Sequence, residues 1–308
     1  MSRGTIVALS GGIGGAKLAL GLSRVMAAQE LLIVANVGDD FEHLGLHVAP
    51  DLDTLLYTLA GLDNPTLGWG RADESWNFMA TLGTLGGPTW FALGDRDLAL
   101  HVARTERLRA GQTLSAITGQ FCDRLGVAPR LLPATDDPLR TRLHTDEGWL
   151  AFQDYFVRRR CAPAVRAIAY DGAATARVQP QVLAALADPA LRAVVICPSN
   201  PFLSVDPMLA IPELRAAIAA CAAPVSAVSP LIGGRAVKGP TAKLMGELGL
   251  PQTTQAVAEH YGALLDVFVI DPADAAATVL PRRRVVTPTL MTSLEDREHL
   301  ARAVLAAV

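Results

Sequence analysis

Four aspartates in two short segments carry the most distinctive chemistry in this sequence. Asp39 and Asp40 follow an apolar run, and Asp51 and Asp53 come soon after, next to Pro50. Carboxylates held close together repel each other and are costly to leave unpaired where they are partly buried. A divalent cation removes that repulsion, and Mg²⁺ binds one or two carboxylates together with the phosphates of a substrate.

Each aspartate also fits an ordinary structural role. Proline followed by aspartate opens a helix, so Asp51 is a candidate N-cap, and Asp39 or Asp40 could cap a helix or a turn. Asp53 falls in the first turn of the helix predicted over Asp51–Leu62, where it can point toward the same cleft as Asp39. Taken together, the four carboxylates favour a metal-bridged phosphate.

A glycine-rich segment between the first predicted strand and the first predicted helix is the second candidate for chemistry. Glycines let the backbone approach a ligand closely, and N–H groups at the start of a helix attract anions. The spacing fits neither the dinucleotide-binding fingerprint nor the Walker motif, and a tight turn that needs glycine only for packing is the alternative. We predict phosphate or diphosphate binding by Ser10, Gly11, Gly12, Gly14, Gly15 and Lys17.

Two later loops follow apolar, strand-like runs and are rich in small or turn-forming residues. Such loops form pockets for the base and ribose of a nucleotide, although plain turns have the same composition. The residues predicted to contact a nucleotide are Ser199, Asn200, Pro201 and Gly233.

Arg96 stands between Asp95 and Asp97, with His101 one helical turn further along the chain. A surface cluster of ion pairs is the ordinary interpretation of this pattern. The alternative is contact with a ligand, because the planar fork of a guanidinium suits a phosphate or a heteroaromatic carbonyl.

The composition excludes several classes of protein. The chain has 308 residues, of which 51% are hydrophobic and 19% charged, and a net charge of −3, so it can bury a large core and is not disordered. Without a long basic run, it is not expected to bind nucleic acid. Its four cysteines lack the spacing of a zinc site or a disulfide framework. No apolar stretch requires a membrane, so we expect a soluble, cytoplasmic protein.

Strand-like apolar runs followed by helical patterns position these segments. The runs predicted as strands are Thr5–Leu9, Leu31–Asn36, Ala193–Cys197, Val225–Ser229 and Leu265–Ile270. The first helix is predicted over Ala16–Gln29. This order predicts an α/β fold, Rossmann-like and three-layered, with a mostly parallel sheet covered on both faces. We expect one domain over residues 1–308, with a mainly helical insertion over residues 65–160.

Taken in order, these motifs resemble the 2-phospho-L-lactate transferase family, which includes phosphoenolpyruvate-transferring relatives. The similarity extends over nearly the whole chain at consistent spacing. The matching segments are Ser10–Lys17, Asn36–Asp40, Pro50–Tyr57, Gly68–Gly70, Asp73–Glu74, Leu93–Asp97, Leu132–Pro133, Asp136–Asp137, Phe152–Asp154, Pro198–Pro201, Ser229–Gly233 and Leu290–Thr292.

The resemblance implies a reaction of coenzyme F(420) biosynthesis. A guanosine diphosphate carries a three-carbon acid on its outer phosphate. The terminal ribityl hydroxyl of a deazaflavin precursor, 7,8-didemethyl-8-hydroxy-5-deazariboflavin, attacks that phosphorus. GMP leaves, a phosphodiester remains and Mg²⁺ is required; the family pattern also implies a homodimer. Whether the acid is 2-phospholactate, phosphoenolpyruvate or phosphoglycerate stays open, since a small substituent changes binding by only about 1–3 kcal/mol unless the site hydrogen-bonds it.

The resemblance also implies roles for particular residues. The deazaflavin precursor contacts Asp51 or Asp53, together with Arg96, in a pocket to which the helical insertion contributes. The metal ligands are Asp39 and Asp53, with Asp40 and Asp51 as rivals. The implied catalytic residues are Asp53, Asp39 and Arg96.

A protein of another class is the alternative: a non-catalytic, nucleotide- or deazaflavin-binding regulatory protein of the related glycine-loop sister group. The acidic pairs argue against it, because a protein that only binds gains little from them. The segments Gly94–Asp97, Phe152–Asp154 and Leu290–Thr292 favour the transferase.

Overall fold

A computed structural model describes residues 4–66, 69–278 and 283–308, so Gly68, named above, lies outside the described residues. Its strands are β1 (Ile6–Ser10), β2 (Leu31–Ala35), β3 (Phe41–His43), β4 (Leu46–Val48), β5 (Arg130–Pro133), β6 (Arg140–Thr145), β7 (Gly148–Ala151), β8 (Val165–Asp171), β9 (Ala193–Ile196), β10 (Val225–Val228), β11 (Leu231–Ile232), β12 (Arg235–Ala236), β13 (Val267–Ile270) and β14 (Arg283–Val286).

Helices alternate with these strands. They are α1 (Gly12–Val25), α2 (Pro50–Ala60), α3 (Asn77–Thr84), α4 (Asp95–Arg109), α5 (Leu114–Leu125), α6 (Pro180–Ala187), α7 (Asp206–Leu209), α8 (Pro212–Ala220), α9 (Thr241–Glu247), α10 (Thr254–Tyr261) and α11 (Leu294–Ala306). Within the described ranges, no helix is both long enough and apolar enough to span a lipid bilayer.

The central sheet has seven strands in the order β14-β13-β10-β9-β1-β2-β5. Every neighbouring pair in it runs parallel. The strands β1, β2, β9, β10 and β13 are buried along their whole length, as expected where helices cover both faces. The predicted α/β fold with a parallel sheet between helical layers is therefore confirmed.

The direction in which the chain crosses the sheet reverses between β1 and β9. From β1 the chain proceeds to β2 and β5 on one side, and it later adds β9, β10, β13 and β14 on the other. In open α/β sheets, a crevice forms outside the carboxyl ends of the strands at such a point. Gly11, after β1, and Ser199, after β9, meet there, since the Gly11 N–H donates to Ser199 Oγ over 3.2 Å.

The segment over residues 65–160 is less separate from the sheet than predicted. It contains α3, α4 and α5, but β5 then joins the central sheet beside β2. Beyond it, β6 and β7 belong to a three-stranded antiparallel sheet with β8. The apolar part of β5 is very short, between Arg130 and Pro133, so its pattern did not indicate a buried strand.

The first helix begins at Gly12 and ends at Val25, so the start predicted at Ala16 is wrong. Glycine has a low helix propensity, and the pattern therefore placed the glycines in a loop. Packing overrides that propensity, because α1 lies close to its neighbours. A Cβ added at Gly15 would lie 2.5 Å from Ser10 Oγ.

The close packing of α1 against α11 gives a testable prediction. Gly21→Ala should destabilise the fold by about 1–3 kcal/mol, because overpacking forces helices apart, and here the new Cβ would overlap the carbonyl oxygen of Arg297. The free energy of unfolding in urea measures the effect.

Gly119→Ala in α5 is the matched control, because a Cβ there meets nothing within 4 Å. It should stabilise the protein by roughly 0.5–1 kcal/mol, the usual gain for replacing glycine inside a helix. Equal unfolding free energies for the two variants would contradict the described contact between α1 and α11.

Candidate active site

A cavity of about 590 Å³ opens where the direction of the chain reverses across the sheet. Its lining includes the starts of α1 and α2 and the loops that follow β9 and β10. Concave sites of this size, mainly apolar with a few converging polar groups, are typical of sites for small organic ligands. The polar groups of the cavity decide which ligands suit it.

Asp39 and Asp51 lie on the cavity wall, joined by the side-chain amide of Asn36. The Asn36 Nδ2 group donates to Asp51 Oδ2 over 3.0 Å and to Asp39 Oδ1 over 3.3 Å. The amide is oriented in turn by the Gly38 N–H, which donates to Asn36 Oδ1 over 2.8 Å. One fully buried asparagine at the end of β2 thus holds two carboxylates side by side.

Asp51 caps a helix, but that helix is α1 and not its own. Its Oδ1 accepts a hydrogen bond from the Gly12 N–H over 2.6 Å, while Ala49 occupies the N-cap position of α2. A carboxylate is favoured there because the N-terminus of a helix carries a partial positive charge. A Cβ at Gly11 would lie 2.5 Å from Asp51 Oδ2, so the absence of a side chain at Gly11 makes room for the cap.

Burial makes both carboxylates of this pair costly to ionise. It raises the pKa of Asp39 well above its ordinary value, and the charges of Asp51 and Asp40 add to the rise. Burial also raises the pKa of Asp51 to about 6, although hydrogen bonds from Asn36 and Gly12 oppose the rise. A divalent cation would offset both the desolvation and the repulsion, so the oxygens of Asp39 and Asp51 fit Mg²⁺.

Asp53 is held by a buried arginine instead. Its two carboxylate oxygens accept hydrogen bonds from the guanidinium of Arg104, with Nη1 at 3.1 Å from Oδ2 and Nη2 bonded to Oδ1. Arg104 is only 2% exposed, and burial by itself would lower its pKa, but the charge and hydrogen bonds of Asp53, together with the charge of Asp40, outweigh burial and raise it. A bidentate pair of this kind already balances the charge of the carboxylate. The structure therefore brings Asp39 together with Asp51, the predicted rival, and ties Asp53 to Arg104.

Asp97 and His101, on α4, extend this network to the cavity wall. His101 Nδ1 lies 3.6 Å from Asp53 Oδ2, and its Nε2 lies 3.2 Å from Asp97 Oδ2. The Tyr57 hydroxyl donates to Asp97 Oδ1 over 2.6 Å. Burial alone would raise the pKa of Asp97, but the adjacent His101, the Tyr57 hydroxyl and the charge of Arg104 together outweigh burial and lower that pKa. Asp53, Asp97 and His101 have metal-ligand spacing, but the guanidinium of Arg104 already supplies the positive charge there.

Two further predicted residues, Asp40 and Arg96, are not among those that line the cavity. Asp40 is buried with its Oδ2 at 3.6 Å from His47 Nε2. Burial raises the pKa of Asp40 well above its ordinary value and lowers that of His47 to about 3, so burial disfavours the charged form of both groups. Arg96 is exposed at the start of α4, where its backbone N–H donates to Glu74 Oε2. Its contact with a deazaflavin stays a prediction.

The residues predicted to bind phosphate or nucleotide divide into two groups. Those that line the cavity are Gly11, Gly12, Gly14, Lys17, Ser199 and Asn200. Those that do not are Ser10, Gly15, Pro201 and Gly233. The alternative of glycines required for packing holds for Gly14 as well, because a Cβ there would overlap the carbonyl oxygen of Pro198. Lys17 Nζ donates to the carbonyl oxygen of Met291 over 2.6 Å, which places a cation near the start of α1.

Aromatic rings form another part of the cavity wall, which is lined by Tyr57, Trp69, Trp90, Phe91, Phe152 and Phe156. The Phe152 and Phe156 rings are stacked with centroids 5.3 Å apart, and Trp90 meets Phe91 edge to face at 5.7 Å. Trp69 is 49% exposed, so its ring is available to a ligand. Rings of this kind offer apolar surface and favourable stacking to a planar aromatic molecule. All of these residues except Tyr57 come from residues 65–160.

Sequence patterns gave Asn36, Tyr57 and Arg104 no individual role, and they gave Asp97 and His101 no ligand role. Asp97 and His101 are four residues apart in a helix, a spacing that places two side chains on one face, and this signal was available. Nothing local marks Asn36 or Arg104, since their partners lie on other elements of the fold.

Comparison with known proteins identifies the family of this chain. The profile of the family "2-phospho-L-lactate transferase CofD" matches residues 6–305. The chain is 42% identical to a phosphoenolpyruvate transferase of Streptomyces avermitilis, covering 98% of this chain and 97% of the relative. It is 37% identical to one of Mycobacterium sp. strain KMS, covering 97% of each.

The fold has solved counterparts. A UPF0052-family protein of Bacillus halodurans covers 99% of this chain and 99% of its own, with a TM-score of 0.64 and 14% identity. At that identity the likeness concerns the fold alone. The profile match and the relatives extend over nearly the whole chain, and they show that it belongs to the 2-phospho-L-lactate transferase CofD family of transferases.

Proposed function

We propose that this protein transfers an enolpyruvyl phosphate group from its guanosine diphosphate conjugate to the terminal ribityl hydroxyl of 7,8-didemethyl-8-hydroxy-5-deazariboflavin, in coenzyme F(420) biosynthesis. The observation that carries the proposal is the carboxylate pair Asp39 and Asp51, set at the N-terminus of α1 in a cavity that also has an aromatic wall. The enolpyruvyl group follows from the relatives at 37–42% identity, which are named phosphoenolpyruvate transferases. By family resemblance, we also propose a cytoplasmic homodimer.

The donor occupies the part of the cavity at the start of α1. Gly12 and Gly14 line the cavity at the first turn of α1, and helix N-termini bind phosphate through their N–H groups. Because the Gly12 N–H bonds to Asp51, the N–H groups that follow it in this turn would bind the phosphate. Lys17 adds a positive charge one turn further into the helix. Ser199 and Asn200 line the adjoining wall, where the ribose or base of a nucleotide would lie.

The acceptor occupies the aromatic part. The deazaflavin ring system is flat and largely apolar, and it matches the surface formed by Trp69, Trp90 and Phe91. Its ribityl chain then extends toward the carboxylates. In this arrangement, residues 65–160 bind the acceptor, and the loops of the central sheet bind the donor.

The chemistry follows from positioning and charge. The ribityl hydroxyl loses its proton to solvent as its oxygen bonds to the outer phosphorus. The bond from that phosphorus to the bridging oxygen breaks, and GMP leaves with that oxygen. Asp39 and Asp51 would hold a Mg²⁺ ion, which when bound supplies positive charge to the phosphate oxygens. Lys17 and the α1 N–H groups hold the diphosphate in place, and preformed dipoles of this kind need no reorganisation during the reaction.

Product analysis tests the proposed reaction. The purified protein should be given the deazaflavin precursor, Mg²⁺ and, in separate reactions, the enolpyruvyl, lactyl and glyceryl conjugates of guanosine diphosphate. We expect the enolpyruvyl conjugate to react fastest, with one GMP released per phosphodiester identified by mass. GMP release without the phosphodiester, or no turnover of any donor, would reject the proposal.

The carboxylate pair gives a second prediction. Asp39→Asn and Asp51→Asn should each weaken Mn²⁺ or Mg²⁺ binding and lower kcat at least about 100-fold, which corresponds to roughly 2.7 kcal/mol of lost transition-state stabilisation. Calorimetric titration of the metal and steady-state GMP release measure the two effects.

Asp40→Asn is the matched control, because Asp40 belongs to the same loop and is buried but does not line the cavity. It should keep the metal affinity of the unaltered protein. Loss of metal binding in Asp40→Asn, with normal binding in Asp51→Asn, would move the metal away from the proposed pair.

A further inference from the structure

We propose that Asp97 is the residue that binds the hydroxyl chain of the acceptor alcohol, held in place for that purpose by Tyr57 and His101. This inference rests on the proposed function, which supplies an acceptor with a polyhydroxyl chain. It assigns a ligand-binding role to a carboxylate that belongs neither to the pair Asp39 and Asp51 nor to the glycine-rich segment.

The carboxylate of Asp97 remains available to a ligand. Its side chain is 18% exposed and lines the cavity, whereas the side chain of Asp53 is 7% exposed and both its oxygens bond to Arg104. An ionised carboxylate can accept about four hydrogen bonds. Tyr57 donates to one oxygen of Asp97 and His101 lies beside the other, so acceptor positions remain on both.

The groups around Asp97 favour its ionised form, which accepts hydrogen bonds. Arg104 Nη1 lies 3.3 Å from His101 Nδ1, and since a guanidinium only donates, that nitrogen accepts. A neutral His101 then carries its proton on Nε2, the ring nitrogen that lies 3.2 Å from Asp97 Oδ2. Arg104 thus orients the His101 ring beside Asp97, and the Tyr57 hydroxyl donates to Asp97 Oδ1. An anionic carboxylate held in this way binds hydroxyl groups strongly, because charge-assisted hydrogen bonds are stronger than neutral ones.

Asp97 also lies on a helix that connects the aromatic wall with the helix of Asp51. Asp97 lies on α4, a few residues after the ring of Phe91, and His101 reaches from the same helix to Asp53 on α2. The helix α2 also carries Asp51. A hydroxyl chain that starts at the aromatic wall and ends at the carboxylate pair would therefore lie along α4, which carries Asp97, and α2, to which α4 is bonded.

The alternative is that the network only fastens α4 to α2. A purely structural role predicts that a variant at Asp97 weakens every ligand alike or lowers stability alone. A role in binding the hydroxyl chain predicts a selective effect on ligands that carry the chain.

Fluorescence titration of two ligands separates these alternatives. One ligand is the deazaflavin precursor, and the other is the same ring system with a methyl group in place of the ribityl chain. In Asp97→Asn, we expect the Kd of the precursor to rise about 10- to 100-fold, the range for a lost hydrogen bond to a charged group. The Kd of the chain-free ring and that of the guanosine conjugate should not change.

Asp95→Asn is the matched control, because Asp95 lies in the same helical turn, bonds to Ser75 and Asn77 and does not line the cavity. It should bind both ligands normally. If Asp97→Asn does not fold, Asp97→Glu gives the same comparison, since it keeps the charge but moves the carboxylate, and it should weaken the precursor alone.

Each outcome has one interpretation. Normal precursor binding by Asp97→Asn, or equal loss for both ligands, overturns the role of Asp97 while transfer by the unaltered protein leaves the proposed function intact. An unaltered protein that binds neither the precursor nor its ring rejects the proposed function and this inference with it.

Discussion

Two carboxylates buried side by side cost free energy to keep ionised, and the surroundings of Asp39 and Asp51 are organised around that cost. The amide of Asn36 bonds to both, and the Gly12 N–H at the positive end of α1 bonds to Asp51. These contacts join the end of β2, the start of α1 and the start of α2 in one place. They offset only part of the desolvation, since the pKa of each carboxyl remains raised. The remaining cost is what a bound cation would remove.

Asp51 and Asp53, at the start of α2, are both buried carboxylates, but different partners stabilise their charges. Residues two apart in a helix point about 200° away from each other, because each residue turns the helix by about 100°. Asp51 therefore points toward Asp39 and the start of α1, while Asp53 points toward Arg104 on α4. The separation has an electrostatic benefit. Because the guanidinium neutralises Asp53, its negative charge is not added to that of the pair that would hold the metal.

The sequence indicates the fold better than the site. Buried parallel strands such as Leu31–Ala35 are continuous apolar runs, a local property that the pattern records directly. The start of α1 and the strand β5 depend on packing against distant elements, so local propensity misplaced them. In the site, residue types suggested four aspartates, of which the family resemblance implied Asp39 and Asp53 as metal ligands, and only contacts between distant parts of the chain distinguish the four. The bond between Asp53 and Arg104 joins residues 51 positions apart, and Gly11 meets Ser199 across 188 positions.

The helices α2 and α4 connect the two halves of the cavity. The start of α2 carries Asp51 beside the glycine turn, and the start of α4 carries Asp97 after the aromatic residues Trp90 and Phe91. Because buried groups on both helices bond to each other, the distance between the two halves is set by helices and not by loops. Phosphoryl transfer depends mainly on aligning two reactants, and misplacement by about 1 Å slows it. In the proposed reaction, the buried ionic contact between these helices would keep the acceptor alcohol and the diphosphate in register, although it would touch neither phosphate nor metal.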